Sequence, residues 1–210
     1  MKPILARVTV FAPLAALALA AGCSLTRPAP VKQAYLLDPP PPPVSATTRP
    51  GTLRVGVVTV AAPFRDRPLV VREAELRYET DYYREWIVPP SAMIGETLAR
   101  SLDRSRVFGR VVPPGTAPDS DFVIDAFVSA LYADSRDASK PGAELAIGFY
   151  VSRANTSGAP VWSKEYRRRI PISAGSSDTY VAAQNEALGD ILAELARDLA
   201  AAQLPPPIRP

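Results

Sequence analysis

The alternation of apolar and polar side chains divides the chain into strands and two helices. Residues 53–60 are valine-rich, with Leu53, Val55 and Val57 in alternation, and predict a strand. Residues 33–38 predict a shorter strand before it. Pro63-Phe64-Arg65-Asp66-Arg67-Pro68 breaks the pattern, and three short strands are expected over 69–72, 75–79 and 81–88. Pro89-Pro90 closes the last of these. Ser91 then offers a helix N-cap, and Ile94, Leu98 and Leu102 recur every fourth residue as the buried stripe of a helix reaching about residue 104. Residues 107–112 return to a strand pattern.

Residues 122–132 form the longest apolar strand pattern. Phe122, Ile124 and Val128 line one face, Val123, Phe127 and Leu131 the other, and Asp125 alone interrupts them, so this strand is expected at the sheet centre. Residues 145–152 and 161–170 read as a hairpin about Asn155-Thr156-Ser157-Gly158. A final helix is expected from a cap at 176–178 to about residue 201, with Val181, Leu188, Ile191, Leu192, Leu195 and Leu199 inward. Hairpins outnumber helical crossovers. The fold class is therefore α+β: one mostly antiparallel or mixed sheet with two helices packed on one face.

The N-terminus obeys a different pattern. Lys2 and Arg7 precede an uncharged apolar stretch over 8–21, and Ala20-Ala21-Gly22 leads into Cys23, the sole cysteine. That order is a secretory signal, and a cysteine straight after small residues marks its bacterial lipoprotein form. Cys23 is then acylated and residues 1–22 are removed. The apolar stretch is short of the roughly 20 residues of a transmembrane helix. Residues 23–32 form a lipidated tether, 33–203 the domain and 204–210 a disordered tail. Ser24 in place of aspartate after the cysteine favours export to the outer membrane, by similarity to known lipoproteins. Pro39 to Pro43 forms a polyproline II run, read as a stiff spacer between strands rather than as a ligand for a proline-reading domain.

Composition narrows the chemistry. Removing Lys2 and Arg7 lowers the formal charge of +3 to +1, which argues against nucleic acid as a partner. Histidine is absent, and acylation consumes the one thiol. No glycine-rich phosphate loop occurs. No metal or cofactor is expected, and no enzymatic activity. Ser163-Lys164 is the one neighbouring serine–lysine pair, but adjacent strand residues point to opposite faces. Asp66 with Glu73, or Asp119 with Asp121, could pair as hydrolytic carboxylates, although no spacing fixes their separation.

An ordered series of short signatures carries a resemblance. It runs through Tyr35-Leu36-Leu37-Asp38, then 63–72, Leu76-Arg77-Tyr78, Trp86, Leu98-Ala99-Arg100-Ser101-Leu102, Arg106-Val107-Phe108 and the alanine- and leucine-rich last helix. The chain resembles the ABC-type transport auxiliary lipoproteins, the PqiC-like family. Tyr82-Tyr83 and the long proline run depart from that pattern. The resemblance implies a partner set of permease, ATPase and periplasmic MCE-domain protein. It also implies movement of lipids or hydrophobic molecules between the inner and outer membranes, and a docking role at the periplasmic face of the outer membrane. Some members form rings, so a homo-oligomeric ring is one implied state. The alternative classes are a lipoprotein regulating a cell-wall enzyme, which favours a longer leash, and a hydrolase.

Arginine and aromatic side chains are enriched at interfaces. Arg65, Arg67, Arg72, Tyr82, Tyr83 and Trp86 are therefore the candidate partner surface, set against loop ion pairing for the arginines and core packing for Trp86. Arg167-Arg168-Arg169 reads as a solvated edge or a contact for anionic headgroups. Glu186, Asp190 and Glu194 form an acidic helical face that suits a basic partner.

Overall fold

A 13-residue strand, β6 (Phe122–Asp134), organises the computed structural model, which describes residues 31–115, 119–156, 158–173 and 176–207. The signal segment, Cys23, Ser24 and the tether through residue 30 lie outside the described residues. The strands before β6 are β1 (Gln33–Tyr35), β2 (Arg49–Val60), β3 (Pro68–Arg72), β4 (Tyr78–Trp86) and β5 (Phe108–Val112), with helix α1 (Pro90–Ser105) between β4 and β5. After it come β7 (Gly142–Arg153), β8 (Trp162–Pro171) and helix α2 (Ser177–Ala201).

The sheet is mixed. β7 runs antiparallel along the whole of β6, and β8 extends it antiparallel to β7. The other edge of β6 is shared: β2 pairs in parallel with its first half and β3 in parallel with its last two residues. β5 flanks β2 in parallel, β4 flanks β3 antiparallel, and β1 closes the far edge in parallel with β4. Both helices cover one face. Cross-strand register sets Val60, Val128, Ile147 and Tyr166 in one row under them.

Several expectations hold. Leu98, Leu102, Leu188, Ile191, Leu192 and Leu195 are buried at the helix–sheet layer. Ser176 caps α2, its Oγ accepting the Thr179 N–H at 3.3 Å. Asn155 turns the β7–β8 hairpin at φ 56°, a left-handed conformation that asparagine tolerates.

Others are corrected. Ser91 is not the cap of α1. Pro89 holds that position without a side-chain bond and Pro90 occupies the first turn, where its missing N–H costs nothing. The strands expected at 75–79 and 81–88 are one strand, β4. Asp81 Oδ1 accepts the N–H groups of Tyr83 and Arg84 at 2.9 and 3.0 Å, so the irregularity lies inside the strand. The Phe127 face of β6 is only partly covered: Phe127 is 42% exposed, because both helices take the other face, and Leu131 does not share that face, since the bulge between Val128 and Ala130 shifts the alternation and leaves Leu131 buried.

The proline run is a strap rather than a free spacer. Polyproline II repeats every three residues, and Pro39 and Pro42 are buried while Pro40, Pro41 and Pro43 are exposed. Asn185 of α2 binds both sides of its entrance: the Asp38 N–H donates to Oδ1 at 2.6 Å and Nδ2 donates to the Leu36 carbonyl at 3.3 Å. Thr97 Oγ1 of α1 donates to the Leu37 carbonyl at 3.3 Å. Beyond the strap, Arg49 Nε donates to the Leu199 carbonyl at 2.7 Å, setting a cation at the C-terminal end of the α2 dipole. The tail also packs as far as it is described. Leu204 lies against the core and Pro207 beside Gly51.

Candidate docking surfaces

The open face of the sheet carries the most developed side-chain arrangement. Alternation along β6, β7 and β8 points Tyr132, Asp134, Glu144, Arg167 and Arg169 to this side. With Arg72, Glu75, Arg136 and Asp137 they line a basin of about 610 Å³. Asp134 and Glu144 form its floor; their side chains are only 6% and 10% exposed. Arg136 grips Asp134 through Nε and Nη2 at 3.0 and 2.9 Å, and Arg169 Nη1 adds a third bond at 2.7 Å. Arg167 Nη1 binds Glu144 Oε1 at 2.6 Å. Chiefly through its bonds to Arg136, and against its burial, the Asp134 carboxyl is held well below the usual carboxylate range.

Beside the basin lies an aromatic patch. Phe127 stands opposite Gly148, and the Tyr150 ring lies over that glycine, its hydroxyl 2.9 Å from where a Cβ would stand. Tyr150 is 40% exposed. Val57 projects from the same region of β2, where a bulge faces Asp125.

The six arginine and aromatic candidates do not form one surface. Trp86 leaves the set: it is buried and packs near Tyr180, with ring centroids 6.3 Å apart. Arg72 belongs to the basin. Its guanidinium lies 5.4 and 5.9 Å from the Tyr78 and Tyr132 rings and donates to the Glu75 carbonyl at 2.7 Å. Arg67 braces β4, donating to the Trp86 carbonyl at 2.9 Å and to Glu85 at 2.7 Å. Arg65 is exposed, 3.9 Å from Asp66. Tyr82 and Tyr83 stand together on β4, ring centroids 5.0 Å apart, with Lys32 Nζ 4.9 Å from the Tyr82 ring.

The basic run of β8 is divided by strand alternation. Arg167 and Arg169 enter the basin, while Arg168 turns to α2 and binds Glu194. Glu194 and Asp198 also hold Lys164, at 3.1 and 2.7 Å, so Glu194 is not part of a free acidic face; Glu186 and Asp190 stay exposed. Arg168 and then Lys164 hold the Glu194 carboxyl low. Burial first, and then the Asp198 carboxylate 2.6 Å away, pushes the Tyr166 phenol up.

Three of the carboxylates weighed for hydrolysis, Asp66, Glu73 and Asp121, are engaged by other groups. Asp121 accepts the Thr52 N–H at 2.8 Å, and Glu73 binds Arg77 at 3.1 Å. Ser163 sits across from Tyr150 on the open face, away from the α2 partners of Lys164. Among the described residues no group of histidine, cysteine or acidic side chains could hold a metal ion, and no helix is long and apolar enough to cross a membrane.

The basin escaped the sequence reading because its members come from four segments. A signal existed. Once the β6–β7 turn is fixed, Tyr132, Glu144 and Arg169 fall in one cross-strand row, with Asp134 two residues beyond Tyr132.

The sequence model of the ABC-type transport auxiliary lipoprotein component matches residues 35–196, and the chain belongs to that family. It is thereby an auxiliary component of ABC-type transport and, as a lipoprotein, membrane-associated. No curated protein is matched. Among solved structures, the protein XCC0632 from Xanthomonas campestris is similar with a TM-score of 0.69 at 19% identity, over 78% of this chain and 92% of that one. An uncharacterized protein is similar with a TM-score of 0.64 at 13% identity, over 80% of this chain and 99% of that one. A PelC dodecamer from Paraburkholderia phytofirmans is more distant, with a TM-score of 0.39 at 13% identity over 77% and 95% of the two chains.

Proposed function

We propose that this chain is the lipid-anchored, periplasmic docking subunit of an MCE-associated ABC-type transport system. The system moves lipids or hydrophobic molecules between the inner and outer membranes. Cys23 carries the acyl chains and Ser24 directs export to the outer membrane. The protein binds its MCE-domain partner, as monomer or ring, without cofactor or turnover. The observation that carries this reading is the family match across residues 35–196.

Docking uses the open face of the sheet. Phe127, Tyr150 and Val57 are exposed there beside four arginines, the side-chain types that anchor interfaces. Arg136, Arg167 and Arg169 are held by Asp134 and Glu144, and Arg72 by Glu75, which lowers the entropy lost when a partner binds them.

The test is capture of the MCE subunit by the detergent-solubilised lipoprotein. Phe127→Glu with Tyr150→Glu should weaken binding about thirtyfold, the equivalent of losing one anchor worth about 2 kcal/mol. The thermal melt should barely move, since both side chains are already exposed. Normal binding by a folded double variant removes docking from this face. Absence of any MCE subunit from the wild-type complex removes the transport reading itself.

A further inference from the structure

The β1–β4 edge exposes apolar side chains that neither the core nor the proposed docking face uses. Leu36, Tyr82, Tyr83, Ile87 and Val88 are all exposed, Tyr82 most of all at 71%. They follow one another along paired backbone. β1 and β4 are in parallel register from Gln33 opposite Arg84 to Tyr35 opposite Trp86, and the Ile87 N–H donates to the Tyr35 carbonyl at 2.8 Å. Leu36 therefore emerges level with Ile87. Charges beside these side chains are paired: Lys32 and Arg67 share Glu85, and Arg84 binds Asp81 at 3.0 Å. The edge thus offers apolar bodies with tethered polar tips.

Chain length limits what can cover it. Nine residue steps lead from Cys23 to Lys32, which span about 30 Å when fully extended. Acylation of Cys23 would therefore keep the start of this edge within about 30 Å of the bilayer. Tyrosine favours the headgroup level, and lysine and arginine can bury their stems while keeping the charge in water. β8, by contrast, ends the strand path on the far side of β4, β3, β6 and β7.

We infer that the β1–β4 edge rests on the phospholipid surface, with Tyr82, Tyr83, Leu36 and Ile87 at headgroup depth. This orients the domain on its anchor. The inference rests on the acylation of Cys23 proposed above.

Acylation leaves no native thiol, so an introduced cysteine can carry a nitroxide alone. Mature protein labelled at Ile87→Cys, at Tyr82→Cys or, as control, at Ser163→Cys is placed in vesicles of phosphatidylethanolamine and phosphatidylglycerol doped with a nickel-chelating lipid. Nickel on the headgroups should speed relaxation several-fold at positions 87 and 82 relative to 163. The mass of the mature N-terminus is measured first. An unacylated Cys23 overturns the anchor and this inference together. An acylated protein with equal relaxation at all three positions overturns this inference alone, leaving the anchor intact. Labels at 87 and 82 that are shielded from aqueous nickel yet unaffected by nickel lipid also overturn it, because a protein segment then covers the edge.

Discussion

Asp125 Oδ1 accepts the backbone N–H of Val57 at 2.7 Å, bridging β6 to the bulge of β2. The acid in the middle of this largely apolar strand thus satisfies a donor that the bulge takes out of the ladder. Gly56 makes the approach possible, since a Cβ there would stand 2.2 Å from Asp125 Oδ1 and 2.7 Å from Val123 Cγ1. Gly56→Ala should destabilise the domain by about 1–3 kcal/mol through overpacking. Asp125→Ala should cost about 1 kcal/mol, the worth of an ordinary hydrogen bond. Combining the two should recover part of the Gly56→Ala loss, because the closer clash disappears. Chemical denaturation of the three variants decides. Strictly additive losses would mean that the two residues are not coupled.

Leu192 is 1% exposed, under the sheet on α2. Leu192→Ala should lower stability by about 2–5 kcal/mol, as for other leucines deleted from cores. A melt unchanged within error would show that α2 is not docked on β7 and β8.

Acid should loosen the basin. Asp134 has a depressed carboxyl pKa in the folded protein, with its bonds to Arg136 the largest favourable cause. A depressed folded value contributes stability that is fully present above the unfolded value of about 3.9 and is lost as pH falls towards the folded value. The melting temperature should therefore fall below about pH 4. Asp134→Asn should be less stable at neutral pH and should decline less steeply in acid. Parallel acid limbs for wild type and variant would remove Asp134 from the cause.

Local pattern revealed the elements better than their pairing. The stripes of α1 and α2 and the β7–β8 hairpin follow from periodicities of four and two residues around a turn. The parallel pairings of β2 with β5 and β6, and of β1 with β4, join segments far apart in the chain. No turn sets their register, so nothing local announces them. β4 was divided because Asp81 supplies a turn-like capping pattern within a continuous strand. The arginines show the same limit. Arg167-Arg168-Arg169 falls on alternating faces in any strand, but the carboxylates that receive them come from β7, α2 and β6, which no local pattern announces. Trp86 reads in sequence either as core packing or as an interface anchor, and its burial beside Tyr180 of α2 decides for the core.

The strap supplies the last prediction. Its prolines lie over α2 at Gly189, where an added Cβ would stand 3.4 Å from the Pro39 Cβ. That is ordinary contact, so alanine fits, and alanine is favoured over glycine in a helix by about 1 kcal/mol. Gly189→Ala should therefore melt at or above the wild-type temperature. Gly189→Leu extends the side chain into Pro39 and Pro40 and should lift the strap. Asn185→Ala should lift it by another route, removing the bonds to Asp38 and Leu36. Those two bonds together are worth about 1–3 kcal/mol. The readout is hydrogen exchange at the Asp38 amide, which donates to Asn185. Exchange should be slow in wild type and in Gly189→Ala, and fast in Gly189→Leu and Asn185→Ala. Since Asn185→Ala removes the acceptor directly, Gly189→Leu is the decisive variant. Slow exchange there would show that the prolines yield around a larger side chain, and that the strap is held by its hydrogen bonds alone.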